Sequence, residues 1–207
     1  FGVFESKSQL VVCSVIKADR YDDNASMSIH GEIRNTAVVI NRPEAPQPGR
    51  RAVLAGRVSA LAATAGFMPL HAVWAAGIPL FADADRFHVW HADGGGTYLW
   101  TLTALAVLPA VLAFALIRPW GLVFPAWTPW GGSRVPRMLL IVPGYGLVVA
   151  LGGYALLAVV LTVVQWDSPD VIFSPWTGVY GIGQFAVWVV SLAVATRSYA
   201  RRTRIRG

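Results

Sequence analysis

A chain of 207 residues of which 55% are hydrophobic and only 14% charged, with a mean hydropathy of +0.52, is too apolar for an ordinary water-soluble domain. The net charge of +6 would suit a nucleic-acid partner, but 12 of the 17 lysines and arginines flank long apolar runs, a placement that answers to lipid and threading and makes nucleic acid an unexpected partner. The single cysteine, Cys13, excludes an intramolecular disulfide and a cysteine-rich metal cluster within these residues.

Residues 1–50 hold no run long enough to span a bilayer; the best, Leu10 to Ile16, is too short, and a disordered cytoplasmic arm and linker is expected there. Both lysines, Lys7 and Lys17, and Cys13 fall within its first 17 residues. Residues 1–26 therefore read either as an over-extended start, with Met27 the natural beginning, or as an ordinary tail of unusual composition. Pro43, Pro46, Pro48 and Gly49 close the arm with a stretch in which helix cannot persist.

From Val58 to Leu80 the only titratable side chain is His71. At about 1.5 Å per residue, about 20 apolar residues cross about 30 Å of hydrocarbon. The run therefore predicts a first membrane span over 58–80, starting as early as Ala52 if Arg57 reaches back to the headgroups. Its first half, from Ser59 to Gly66, is mostly small residues that let another helix approach closely.

Asp83 to Gly96 reads as a polar loop ending in the hinge Gly94, Gly95, Gly96. A second span is predicted over 97–117, with Pro109 near its centre freeing a carbonyl and bending the helix. Arg118 to Arg137 carries Trp120, Trp127, Trp130, Arg134 and Arg137, a mixture suited to a loop lying on the headgroups. The third span is expected over 138–164 and the fourth over 174–196, where Ser174 can cap a helix opening on Pro175. Residues 201–207 form a basic cytoplasmic tail. The expected fold is all-α, a four-transmembrane-helix bundle over 51–200. If the amino end is cytoplasmic, the inner segments from Arg42 onward hold twelve arginines and the outer ones only Arg86, so both termini are expected on the cytoplasmic side of a cell membrane.

Two constellations offer chemistry. Counting inward at about 1.5 Å per residue, His71 lies about 14 Å below Leu80 and Gln184 about 15 Å below Ser174, and Tyr154 falls at a similar level. Polar side chains at that depth are costly without partners, so His71, Trp74, Tyr154 and Gln184 form a candidate midplane cluster, with His71 expected to bond Gln184 or Tyr154. The alternative is ordinary interhelical glue. The second constellation is His88, His91, Asp83, Asp85 and Asp93 in the polar loop, where imidazoles and carboxylates suit a divalent metal. It lacks the His-Glu-x-x-His signature, and a solvated loop anchored by Trp90 explains the same residues. Gly178, Gly181 and Gly183 follow no strand and read as a helix-packing face. No Walker motif, serine elbow or run of membrane carboxylates appears, and no cofactor is implied.

The run His71, Ala72, Val73, Trp74, Ala75, Ala76, Gly77 resembles the first-helix motif His-x-x-Trp-Ala-x-Gly of small bacterial, especially actinobacterial, four-helix membrane proteins of unknown function. Trp120 to Pro125 with Arg134, Val135, Pro136, Arg137 is similar to the tryptophan-glycine and Arg-x-Pro-Arg loop of the same group. The resemblance covers roughly residues 55–196 and implies the four-helix fold but no activity. One departure is the single Gly77 after Ala76, where such proteins often carry paired glycines.

Three functions fit these features. The first is a non-enzymatic accessory or structural component that contacts anionic lipid and a protein partner or second copy. The second is a carrier or channel component, which a cavity reaching His71 from one side would favour. The third is a metal-binding enzyme acting through His88 and His91 at the outer face.

Overall fold

The computed structural model of the chain describes residues 47–204. The arm expected over 1–50 lies, apart from its last four residues, outside them, as do residues 205–207 of the tail. Among the described residues there is no strand, only two isolated β-bridges, and four helices are long and apolar enough to cross a membrane: Arg50–Ala75, Ala84–Ala115, Met138–Val164 and Pro175–Arg204.

The first of these comprises α1 (Arg50–Leu61), a wide π-type turn over Ala62–Phe67, and α2 (Met68–Ala75). It begins at Arg50 rather than Val58, because a helix needs no apolar side chains once its flexible arginine stems can lie along it, and the extended Gly49 marks its start. It stops at Ala75 rather than Leu80, where Gly77 takes φ +84°. The N–H of Ile78 donates to Val73 O at 3.2 Å and that of Gly77 to Trp74 O at 2.9 Å, the paired closure that a left-handed residue after a helix permits. Pro79 then prevents continuation. The π-type turn precedes Pro69, whose missing N–H loosens the turn before it.

The second comprises α3 (Ala84–Trp90), a wide turn at His91–Gly95, α4 (Gly96–Leu105) and α5 (Val107–Ala115). The loop expected over 83–96 is thus largely helical. Asp83 Oδ1 accepts the Arg86 N–H at 3.0 Å as an N-cap, and Phe87, 0% exposed, anchors α3 in a cluster with Trp74, Ala75 and Leu99. Gly94, at φ +107°, supplies the expected hinge. The helix also breaks at Ala106, three residues before Pro109, as a proline that deprives Leu105 O of its donor requires.

The third, α6 (Met138–Val164), has the expected bounds. The fourth, α7 (Pro175–Arg204), opens on Pro175 as expected but runs beyond residue 196, so residues 201–204 of the expected tail are helical.

Helix α7 packs against both α1 and α6, α1 also lies on α5, and α2 lies on α4. Helix α6 leans on α7 and meets the second span through α5, leaving α4 and α6 splayed. The main core joins Phe67, Ala106, Ala110, Phe185, Trp188 and Leu192. Small residues bring α6 and α7 together, since a Cβ on Gly144 would come within 2.8 Å of the Thr196 side chain and one on Gly178 would strike Thr162. Gly181 and Gly183 have nothing within 4 Å of that position, so the expected glycine face narrows to Gly178. The loops at the α2 and α6 ends pair through Asp83 N to Ile172 O at 2.8 Å and Ser174 N to Phe81 O at 2.9 Å.

Candidate functional site

The splay between α4 and α6 is a trough. Its outer part, about 310 Å³, is lined by Trp74, Tyr98, Leu161, Gln165, Ser174 and Thr177 among others. Its inner part, about 260 Å³, reaches Pro109, Leu147, Leu151 and Trp188. The two parts share His71, Tyr98, Leu102, Tyr154 and Phe185, so they adjoin at these side chains, the outer part reaching the α6–α7 loop and the inner part Pro109. Among the described residues no lysine, arginine, aspartate or glutamate lines either part.

His71 sits at the junction. Its ring stacks on Phe67 with centroids 3.7 Å apart and meets Trp74 edge-on at 5.3 Å. Its Nδ1 lies 2.8 Å from Phe67 O. A carbonyl only accepts, so Nδ1 carries the hydrogen and Nε2 is left as a bare acceptor. Nε2 has no hydrogen-bond partner among the described residues. Trp74, 5% exposed, packs beside the histidine as its spacing suggests and donates its indole N–H to Leu80 O at 2.8 Å.

The expected bond from His71 to Gln184 or Tyr154 is not made. Gln184 Nε2 instead donates to Ala62 O at 2.9 Å, and Tyr180, one turn earlier on α7, donates its hydroxyl to Gly66 O at 2.7 Å. Both acceptors belong to the π-type turn, whose widened hydrogen bonding leaves carbonyls open to side chains from α7. Tyr154 packs edge-on to Phe185 at 5.0 Å and joins His71 only as a wall of the same trough. The structure therefore brings His71, Trp74 and Tyr154 together and places Gln184 elsewhere.

Nor are His88, His91, Asp83, Asp85 and Asp93 gathered as a metal site: among the described residues no three histidine, cysteine or carboxylate side chains are placed to share an ion. The reason is that the key members have other work. Asp83 caps α3, and His91 Nε2 donates to Ala75 O at 3.1 Å, satisfying an orphan carbonyl at the end of α2. His88, Asp85 and Asp93 are exposed.

At the opposite end, Trp127 is 85% exposed and Trp130 65% exposed in the 118–137 loop, which is closed by a bridge between Val123 and Arg134. Trp120 and Arg137 are exposed there as well. Sequence reasoning missed two residues at this end. Tyr199 donates to Gly121 O at 2.8 Å and Arg202 Nη2 to Leu116 O at 2.6 Å, tying the last turns of α7 to the end of the second span. Their i, i+3 spacing on one helix face was the available signal. It also missed Trp188, which is 2% exposed, stacks on Phe185 at 5.9 Å and has an indole N–H without a partner among the described residues. No protein-family model, curated protein or solved structure matches the chain.

Proposed function

We propose that the chain is a small multi-pass protein of the cytoplasmic membrane, with both termini in the cytoplasm, that acts without catalysis by receiving a small guest in the trough between α4 and α6. One observation supports this most: the trough runs inward from the α6–α7 loop to an uncommitted histidine nitrogen. The cytoplasmic assignment of the termini rests on the twelve-to-one arginine count. The resemblance to small actinobacterial four-helix membrane proteins belongs to the same reading, since His71 and Trp74 line the trough and Gly77 ends the helix that carries them.

Substituted cysteines test it in a Cys13→Ser background. Ser174→Cys should react with a membrane-impermeant maleimide added from outside, Leu102→Cys with a small permeant thiosulfonate, and Val190→Cys, on an exposed face of α7, with neither. Unreactive cysteines at both 174 and 102 would mean that the trough is closed in the membrane.

A second reading is a purely structural accessory subunit that holds a protein partner, a second copy or anionic lipid. It is supported by the exposed tryptophans at 127 and 130 beside Arg134 and Arg137.

A further inference from the structure

We infer that α4 is a hinged wall that rolls on α2 and closes the trough, so that access for a guest is gated by the second span; the inference rests on the trough being a binding site. The two walls are built differently. Helix α6 is one unbroken run of 27 residues keyed to α7 near both its ends, Gly144 against Thr196 and Thr162 against Gly178. Helix α4 is only 10 residues long, and it lies between two interruptions of its span. On the outer side is the wide turn at His91–Gly95, where Gly94 takes φ +107°, and on the inner side is the break at Ala106 ahead of Pro109. Thr101 and Thr103 turn their hydroxyls back onto Thr97 O and Leu99 O at 2.9 and 2.8 Å, a bonding that weakens a helix's own ladder.

A regular helix hands any rotation on to the residues beyond it, so a segment turns by itself only where the ladder is interrupted on both sides. The neighbours of α4 are held in place: α3 by the buried Phe87, and α5 by the buried Ala110 and Ala113 and its seat on α1. The interruptions therefore free α4 from both. Its contact with α2 permits a roll rather than a lift. Leu99, packed with Trp74 and Ala75, and Thr103, one turn further on, form a buried row, while Tyr98 and Leu102 form the adjoining row, on the trough.

A roll about the Leu99–Thr103 row carries Tyr98 toward Tyr154 on the opposite wall. Both side chains are about half-exposed and line both parts of the trough, and their rings do not touch in the open form described above. Tyr154 is the fixed partner, its ring resting edge-on against Phe185 at 5.0 Å. When the two phenols meet, they close the junction at His71, where the outer and inner parts adjoin, and an offset or edge-on aromatic pair holds the walls together. A guest lodged between them keeps the rings apart and so favours the open form.

Oxidative cross-linking of tyrosines tests this in the full chain in lipid nanodiscs, with a photoactivated ruthenium complex and persulfate as the oxidant and mass spectrometry of linked peptides as the readout. The carbon–carbon bond forms only between phenol rings that come into contact, and it is irreversible, so it collects a closed form of small population. The Tyr98–Tyr154 product is expected in the wild-type chain. Pro109→Ala gives Leu105 O its missing donor and joins α4 to α5, so that closing has to break a backbone hydrogen bond. At equal total loss of tyrosine, the yield of this product is then expected to fall about fivefold, the scale of one such bond. Pro109→Ser makes the same comparison if Pro109→Ala inserts poorly. Absence of the Tyr98–Tyr154 product from the wild-type chain, or an equal yield with and without Pro109, would overturn the inference. Either result obtained with reactive cysteines at 174 and 102 would leave the trough a fixed, open site and the proposed function standing, while unreactive cysteines at both positions would remove that reading itself.

Discussion

Two aromatic side chains finish the first span. His91 donates to Ala75 O, one of the carbonyls that a helix leaves open at its end, and Trp74, within α2, donates to Leu80 O and ties down the chain that leaves the helix. Trp74→Phe keeps the ring but loses the N–H, and is expected to cost about 1 kcal/mol, whereas Trp74→Ala also empties a packed site and is expected to cost about 3–5 kcal/mol. Thermal unfolding in one detergent checks the order, and equal losses would show that the hydrogen bond, not the packing, dominates. His91 was conspicuous in the sequence for the wrong reason. Its spacing from His88 suggests a ligand pair, while its true partner is a backbone oxygen, which has no sequence signature. The same limit applied to His71. Counting residues from Leu80 placed it beside Tyr154, with which it does share the trough, but the helix ends at Ala75, so His71 lies only four residues from that end, and a count carries no azimuth: Nδ1 donates to Phe67 O on its own helix.

The elements were legible where the solvent dictates them and less so elsewhere. Hydrocarbon demands an unbroken apolar run, and α6, the most apolar span, has the bounds read from sequence. Helix α3 is polar and short, so nothing but its Asp83 cap and the buried Phe87 distinguishes it from a loop. Asp83→Ala should therefore loosen α3 by about 1 kcal/mol, seen as faster hydrogen exchange at Arg86 with α6 unchanged. The π-type turn was equally invisible, although Pro69 marks its downstream edge. Gln184→Leu and Tyr180→Phe each remove one side-chain bond to that turn and are expected to cost about 0.6 kcal/mol apiece, typical of polar contacts between membrane helices. Thermal unfolding of the two single variants and the double variant measures both, and a double variant no less stable than either single one would show that the two bonds act as a unit.

For the molecule as a whole, arginine is concentrated at one end, with Arg50, Arg51, Arg118, Arg134, Arg137 and the α7 arginines there and Arg86 at the other. A reporter active only in the cytoplasm should work when fused after Gly207 and fail when inserted after Asp85; activity at the second position would sink the threading. Helix α7 holds this architecture together, because it makes the most extensive contacts with both α1 and α6 and closes on the second span through Tyr199 and Arg202. That centrality was not legible in sequence, where the fourth span is less apolar than the second and third and its last turns look like a solvated tail. The turn at Ala62–Phe67 also sets what lengths the gene can tolerate. A π-type turn holds about one residue more than the α turn it replaces, whereas each residue added to or lost from an α-helix swings everything beyond it by about 100°. Deleting Ala65 should therefore straighten the first span while still delivering His71 to the trough, at the cost of the bonds from Gln184 and Tyr180. Deleting Val58, in the regular helix before it, should turn one flank of the span off its neighbours, and cysteine labelling at 102 distinguishes the two.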